Sequence, residues 1–221
     1  MKGIIVYDIE IAHRVEDTPG GWNNPHGMGF GSAVTYSFKE DKYLMYLHER
    51  GKELLIEQLS GNYAVSFNGV KFDSRNVLGN DRPIEHLGEG LISVGEWVEV
   101  DLMIFFLMAR DGLSSEEVLE NIMKGAYWGR GSLNKGNFNL DTLCQRTLGA
   151  GKSGSGAHAP VLYQKENYAA LLSYNLQDVR LTGSLFRNVM HSGGIDTEGG
   201  KVLINLPPDV HAAYDATDEV G

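Results

Sequence analysis

The chain carries one cysteine, Cys144, in 221 residues, which excludes an internal disulfide framework and any cluster of thiolate metal ligands. A lone thiol of this kind reads as a small buried hydrophobe. Long hydrophobic runs are lacking too. The first stops at Asp8, too early for the apolar region of an export signal. The densest later stretch, Leu102 to Ala109, falls far short of the roughly 20 residues that span a bilayer. Neither export nor a membrane span is expected. Positive charge is the third scarcity: 19 Lys and Arg face 29 Asp and Glu, a formal net charge of -10. Taken alone, that balance argues against a nucleic-acid ligand, because phosphate binding is driven by cations.

Two features qualify the objection. Clustered carboxylates count as negative in a sequence but act as a cationic site once they hold a divalent ion. The charge is also uneven. From Asn121 to Ser153, Lys124, Arg130, Lys135, Arg146 and Lys152 face Asp141 alone, whereas from His191 to Gly221 Lys201 faces six carboxylates. The reading is therefore one domain over residues 1–195, with a basic middle, followed by a solvated acidic C-terminal tail over 196–221.

Gly3 to Ile9 is an apolar, β-rich run suited to a central strand. A period of two puts Ile4, Val6, Asp8 and Glu10 on one face. A Gly-, Pro- and Asn-rich loop, His13 to Gly29, follows and is a place for substrate contacts. Phe30–Phe38 and Tyr43–His48 read as strands and complete a meander. Gly51–Ser60 reads as a helix, and Asn62–Phe67 as a short strand ending at Asn68-Gly69. A helix begins near Phe72, and Trp97–Leu102 is a strand running into a helical segment. Ser114-Ser-Glu-Glu117 has the form of a capping box. Gly125–Asn139 brings Tyr127, Trp128, Arg130, Lys135 and Phe138 together, either an ordinary surface loop or a basic, aromatic grip for single-stranded nucleic acid. Asn139–Leu148 is a short helix and Glu166–His191 the longest. This order of elements predicts an α/β fold with a mixed sheet flanked by helices.

On the longest helix, 100° per residue places Asp178 inside the apolar arc, with Tyr174 one turn before it on the same side. Burying an unpaired carboxylate costs several kcal/mol, so Asp178 needs a partner: a cation, or a structural contact to backbone or Arg. Asp8 and Glu10 pose the same problem on one strand face. A divalent ion between them resolves it, and a solvated strand end is the plainer alternative. Asp73 by itself is an ordinary turn residue.

Taken together, Asp8-Ile-Glu10, Asn68-Gly-Val-Lys-Phe-Asp73 and Tyr174-Asn-Leu-Gln-Asp178 resemble, in order and separation, the three exonuclease motifs of the DEDD superfamily in its tyrosine-bearing DEDDy branch. Asn139-Leu-Asp-Thr-Leu-Cys144, Ala159-Pro160 and Gln177-Asp-Val-Arg-Leu-Thr182 agree with it. The likeness covers about residues 3–190 and extends to the exonuclease domains of family B DNA polymerases and their stand-alone bacterial and phage relatives. It implies an RNase H-like fold and 3'-5' exonuclease activity that releases nucleoside 5'-monophosphates. It also implies two Mg2+ or Mn2+ ions, the choice that oxygen ligands favour. Asp8 would bridge the ions, Glu10 and Asp178 would complete the site of the water-activating ion, and Asp73 would hold the second ion through water. Tyr174 would orient the attacking water. Asn68 and Phe72 resemble positions that hold the terminal nucleotide. Ile11 departs from the Thr, Ser or Cys that many relatives use at a substrate-contacting position. The implied partners are the 3' end of single-stranded DNA or RNA and, since no polymerase motifs follow residue 190, a separate polymerase or helicase chain. The implied setting is the cytoplasm of a prokaryotic or phage-infected cell.

Gly149-Ala-Gly151-Lys152-Ser153 is similar to the end of a P-loop, yet Arg146 stands where the first glycine belongs. The histidines lack zinc-ligand spacing. Two rival readings are a catalytically silent nucleic-acid-binding module of the same fold and an RNase H-like endonuclease. Tyr174, four residues before Asp178, favours the exonuclease branch.

Overall fold

The computed structural model describes residues 2–128, 138–152 and 156–218. Among these, a seven-stranded mixed sheet forms the centre, in the order β3-β2-β1-β4-β7-β6-β5. Strands β1 (Ile4–Ile11), β4 (Tyr63–Ser66) and β7 (Trp97–Asp101) run parallel in the middle. The outer strands β2 (Phe30–Ser37), β3 (Lys42–Leu47), β5 (Ile84–Gly88) and β6 (Leu91–Val94) are antiparallel additions. Central strands buried on both faces are apolar over most of their length, as Ile4–Tyr7 of β1 shows, so the buried carboxylates Glu10 on β1 and Glu99 and Asp101 on β7 stand out. The β5–β6 hairpin escaped the sequence reading, because its outer strand is mostly exposed and lacks a clear period.

Each sheet face carries its own core. On one face Ile4, Val6, Val65 and Val100 pack with α3 (Leu102–Asp111), α4 (Ser115–Met123), α5 (Leu140–Leu148) and the long α7 (Tyr168–Ser192). On the other, Ile5, Tyr7, Ile9 and Trp97 pack with Leu55 and Leu59 of α1 (His48–Leu59) and Val77 of α2 (Asp73–Leu78). The short α6 (Ala159–Gln164) leads into α7. The capping box at α4 forms in full: Glu117 N–H donates to Ser114 Oγ at 3.2 Å, and Ser114 N–H to Glu117 Oε2 at 2.9 Å.

The residues read as a solvated tail are folded up to Asp218. A hairpin, β8 (Gly194–Thr197) and β9 (Gly200–Leu203), is followed by α8 (Pro208–Asp218). Ile195, Ile204, Leu206, Val210, Ala213 and Tyr214 join the main core. Tyr214 meets Phe38 and Phe186 edge-on, with ring centroids 5.3 and 5.7 Å away. The acidic composition concealed this because one apolar side of three short elements is enough to dock them.

Candidate active site

The site lies where the parallel strands end. Strand β1 pairs with β4 only from Ile4 to Val6, so Asp8 and Glu10 project beyond the end of their parallel neighbour. The carboxyl ends of parallel strands form a crevice in open α/β sheets. Helix α7 crosses this same face of β1. At Gly183 an added Cβ would lie 3.5 Å from Val6, within ordinary van der Waals contact, so helix and strand pack directly on one another here. Going back five residues along α7 from Gly183 covers about 7.5 Å, and going forward two residues from Val6 covers about 6.6 Å. The two steps bring Asp178 opposite Asp8 and Glu10.

One carboxylate oxygen each from Asp8, Glu10 and Asp178 lie within 4.8 Å of one another. Glu10 and Asp178 are buried and Asp8 is partly exposed. Asp73, also buried, lines the same cleft of about 520 Å³, but its Oδ1 accepts the Ile9 N–H at 3.0 Å and it stands apart from the close trio. Tyr174, Asn68 and Phe72 line this cleft as well. Ile11 does not. It is buried and borders a neighbouring groove with Trp22 and Pro160.

Three residues that the sequence reading passed over organise the cluster. The first is Lys152, whose Nζ donates to Asp178 Oδ2 at 2.5 Å. Asp141 Oδ1 accepts the Lys152 N–H at 2.6 Å, and Gln177 donates to the Gly151 carbonyl at 3.2 Å. An added Cβ at Gly151 would fall 2.4 Å from Asp141 Oδ1. The Gly-Ala-Gly-Lys segment is thus tied to Asp141 and Gln177 and presents Lys152 to Asp178. The second is Asn175, one turn from Asp178, which donates through Nδ2 to Asp8 Oδ2 at 2.6 Å. The third is Asp101 at the end of β7. It accepts from the N–H groups of Asn68 and Val70 at 2.9 and 3.1 Å, and from Met103 at the start of α3 at 3.0 Å. Asn68 is held in the left-handed region at φ 71°. The sequence pointed to Asn68, which lines the cleft, but not to the residue that anchors it, which ends a strand with no chemical signature.

The electrostatics show a cluster short of positive charge. Burial, then Asp178, Asp73 and Glu10, push the Asp8 carboxyl well above its ordinary value, with Lys152 opposing. Burial and then Asp178 raise Glu10. Asp73 is pushed up to about 7, chiefly by burial and against the Ile9 N–H. Burial raises Asp178 despite its ion pair with Lys152. One lysine does not balance four crowded carboxylates. The buried Oδ1 of Asp178 and the buried Oδ1 of Asn68 also have no hydrogen-bond partner among the described residues. Hard oxygen donors, excess negative charge and an orphaned carboxylate oxygen together fit a divalent cation. Asp8, Glu10 and Asp178 are the residues placed to hold it.

Among solved structures the chain is similar to the family B DNA polymerase from the hyperthermophilic archaeon Pyrobaculum calidifontis, with a TM-score of 0.52 at 13% sequence identity. The match covers 86% of this chain, which spans about a quarter, 25%, of the length of that polymerase. With the mixed sheet and its flanking helices, this likeness defines an RNase H-like α/β fold. No family model and no curated protein matches the sequence.

Proposed function

We propose that the chain is a metal-dependent 3'-5' exonuclease acting on single-stranded nucleic acid, most readily DNA. The observation that carries this reading is the convergence of Asp8, Glu10 and Asp178 within 4.8 Å, with Asp73 and Tyr174 lining the same cleft. The four carboxylates would hold two Mg2+ or Mn2+ ions. When bound, such ions ease deprotonation of an attacking water and stabilise charge on the leaving oxygen. The water oxygen bonds to phosphorus, the bond to the 3' oxygen breaks, and a nucleoside 5'-monophosphate leaves.

The protein's own groups have separate tasks. Burial and the neighbouring Asp178 push the Tyr174 hydroxyl above its ordinary range, so it keeps its proton and acts as a hydrogen-bonding guide for the water. Asn68 offers an unpaired Oδ1 and Phe72 a ring face to the terminal nucleotide. Lys152 steadies Asp178 and places a cation where a scissile phosphate would lie. A silent nucleic-acid-binding module is the second reading, favoured by the same ion pair, since Lys152 already occupies one oxygen of Asp178.

The test follows 5'-labelled single-stranded DNA and RNA oligonucleotides on a gel, with Mg2+, Mn2+ or EDTA, for the wild type and Asp178→Ala. A metal-dependent ladder shortening from the 3' end and lost in the variant supports the exonuclease and chooses the sugar. Binding without cleavage under every metal condition supports the silent module instead.

A further inference from the structure

Beside the carboxylates the protein leaves two indoles in water: Trp22 is 62% exposed and Trp128 45%. Large aromatic surface exposed as a continuous patch marks a binding face. Both rings line the cavity that reaches Asp8, Asn68 and Lys152, and both line the adjoining cavity of about 650 Å³ that contains Lys71 and Phe72. The two indoles therefore wall one continuous channel leading outward from the carboxylates, with Asn68 common to both parts.

Both rings pack against neighbouring side chains. Trp128 meets the fully buried Tyr127 edge-on at 6.2 Å and lies 6.4 Å from the buried Phe138. Lys71 Nζ sits 3.9 Å from the centroid of the Trp128 ring. Trp22 packs against Phe72 at 5.7 Å. Its loop is tied to α2: Arg75 donates to the Asn23 carbonyl at 3.1 Å, and Asn76 donates to the carbonyls of Pro25 at 2.8 Å and Gly29 at 3.1 Å. A ligand thus meets aromatic faces that are already ordered, which lowers the entropic cost of binding.

We propose that Trp22 and Trp128 form a clamp for unpaired nucleobases, holding the last bases of a single strand and excluding a paired 3' end. The chemistry of the walls selects this occupant. Aromatic faces dominate the outer cavity, and Lys71 supplies one cation suited to a phosphate. Asn23, Asn68 and Lys71 are too few polar groups to read base edges, so recognition is by stacking and tolerates any sequence. Bases within a duplex are stacked on one another and present no free face to an indole. Continuity with the carboxylate cleft orients the strand, and on this point alone the proposal rests on the exonuclease reading.

The test uses tryptophan fluorescence in EDTA, where metal-dependent turnover is stopped. The reporters are Trp22 and Trp128, since the third tryptophan, Trp97, is 1% exposed. Oligothymidylate and a single strand of mixed sequence should quench emission, and a blunt duplex of that mixed sequence should not. Trp22→Ala and Trp128→Ala should each weaken single-strand binding roughly 5- to 100-fold, read by fluorescence anisotropy of a labelled strand. Trp22→Phe and Trp128→Phe should recover most of it. In Mn2+ the alanine losses should fall on KM more than on kcat. Equal binding by the alanine variants, or a duplex bound as tightly as a single strand, overturns the clamp. Quenching without cleavage in any metal overturns the exonuclease reading and keeps the clamp. Cleavage with a KM indifferent to both tryptophans does the reverse, and neither quenching nor cleavage overturns both.

Discussion

Lys152 and Asp178 form an ion pair at 2.5 Å on the floor of a cleft crowded with carboxylates. The ammonium competes with any divalent ion for the same oxygen, and it also limits repulsion among Asp8, Glu10 and Asp178. Lys152→Met separates these effects. Removing one positive charge a few ångströms from a divalent ion should tighten metal binding about ten-fold, measured by calorimetric titration with Mn2+. Turnover of single-stranded DNA should fall, because the phosphate loses a cation. Unchanged metal affinity would show that Lys152 does not face the ion.

Asp8→Asn removes one charge from the cluster and keeps a carbonyl oxygen to accept from Asn175. Cleavage should drop by about three orders of magnitude or more, while the melting temperature without metal rises by a few degrees, as crowded like charges are relieved. Melts with and without Mn2+ check this: the wild type should gain stability from metal and the variant little. A large loss of stability in the metal-free variant would instead make Asp8 a structural residue.

Tyr174→Phe should slow turnover roughly ten- to hundred-fold with metal affinity unchanged. Parallel losses in both quantities would count against a role in guiding the water.

Away from the cleft, Glu99 is fully buried and accepts hydrogen bonds from Tyr7, from Trp97 at 3.0 Å and from Ser66 at 2.9 Å. Burial outweighs these donors and raises its carboxyl to about 8, against about 4.3 in an unfolded chain. The folded state therefore binds the extra proton between those two values. The contribution of Glu99 is present below about pH 4 and declines as pH rises toward 8, by on the order of 5 kcal/mol. Glu99→Gln should flatten the fall in melting temperature between pH 5 and 8. An identical pH profile in the variant would refute the assignment.

Tyr214→Ala removes a ring packed on Phe38 and Phe186 and should cost about 3 kcal/mol in a denaturant titration. A negligible change would restore the reading of a loose C-terminal tail.

The sequence was legible wherever chemistry and local period coincide. Asp8 and Glu10 share a face because strands alternate, and Asp178 stood out because a charge fell inside the apolar arc of α7. The capping box at Ser114 needed only its own four residues. Lys152 was hidden because its role depends on a segment that comes back onto α7, and its glycines pointed to a different motif. Asp101 was hidden because its partners, Asn68 and Val70, lie more than thirty residues away. Arg130 and Lys135, part of the basic, aromatic stretch, lie outside the described residues.

The order of residues by itself determined which positions carry charge, which faces of β1 and α7 are apolar, and that the carboxylates occur in three separated segments. Local periodicity is enough for that, because side-chain direction repeats every two residues in a strand and every 3.6 in a helix. Only the tertiary structure decided that Asp178 meets Asp8 and Glu10 within 4.8 Å, that Lys152 enters their midst, and that Trp22 and Trp128 wall a shared channel. Those relations depend on how closely α7 packs on β1 and how distant loops fold back, and no local pattern encodes a distance between segments far apart in the chain.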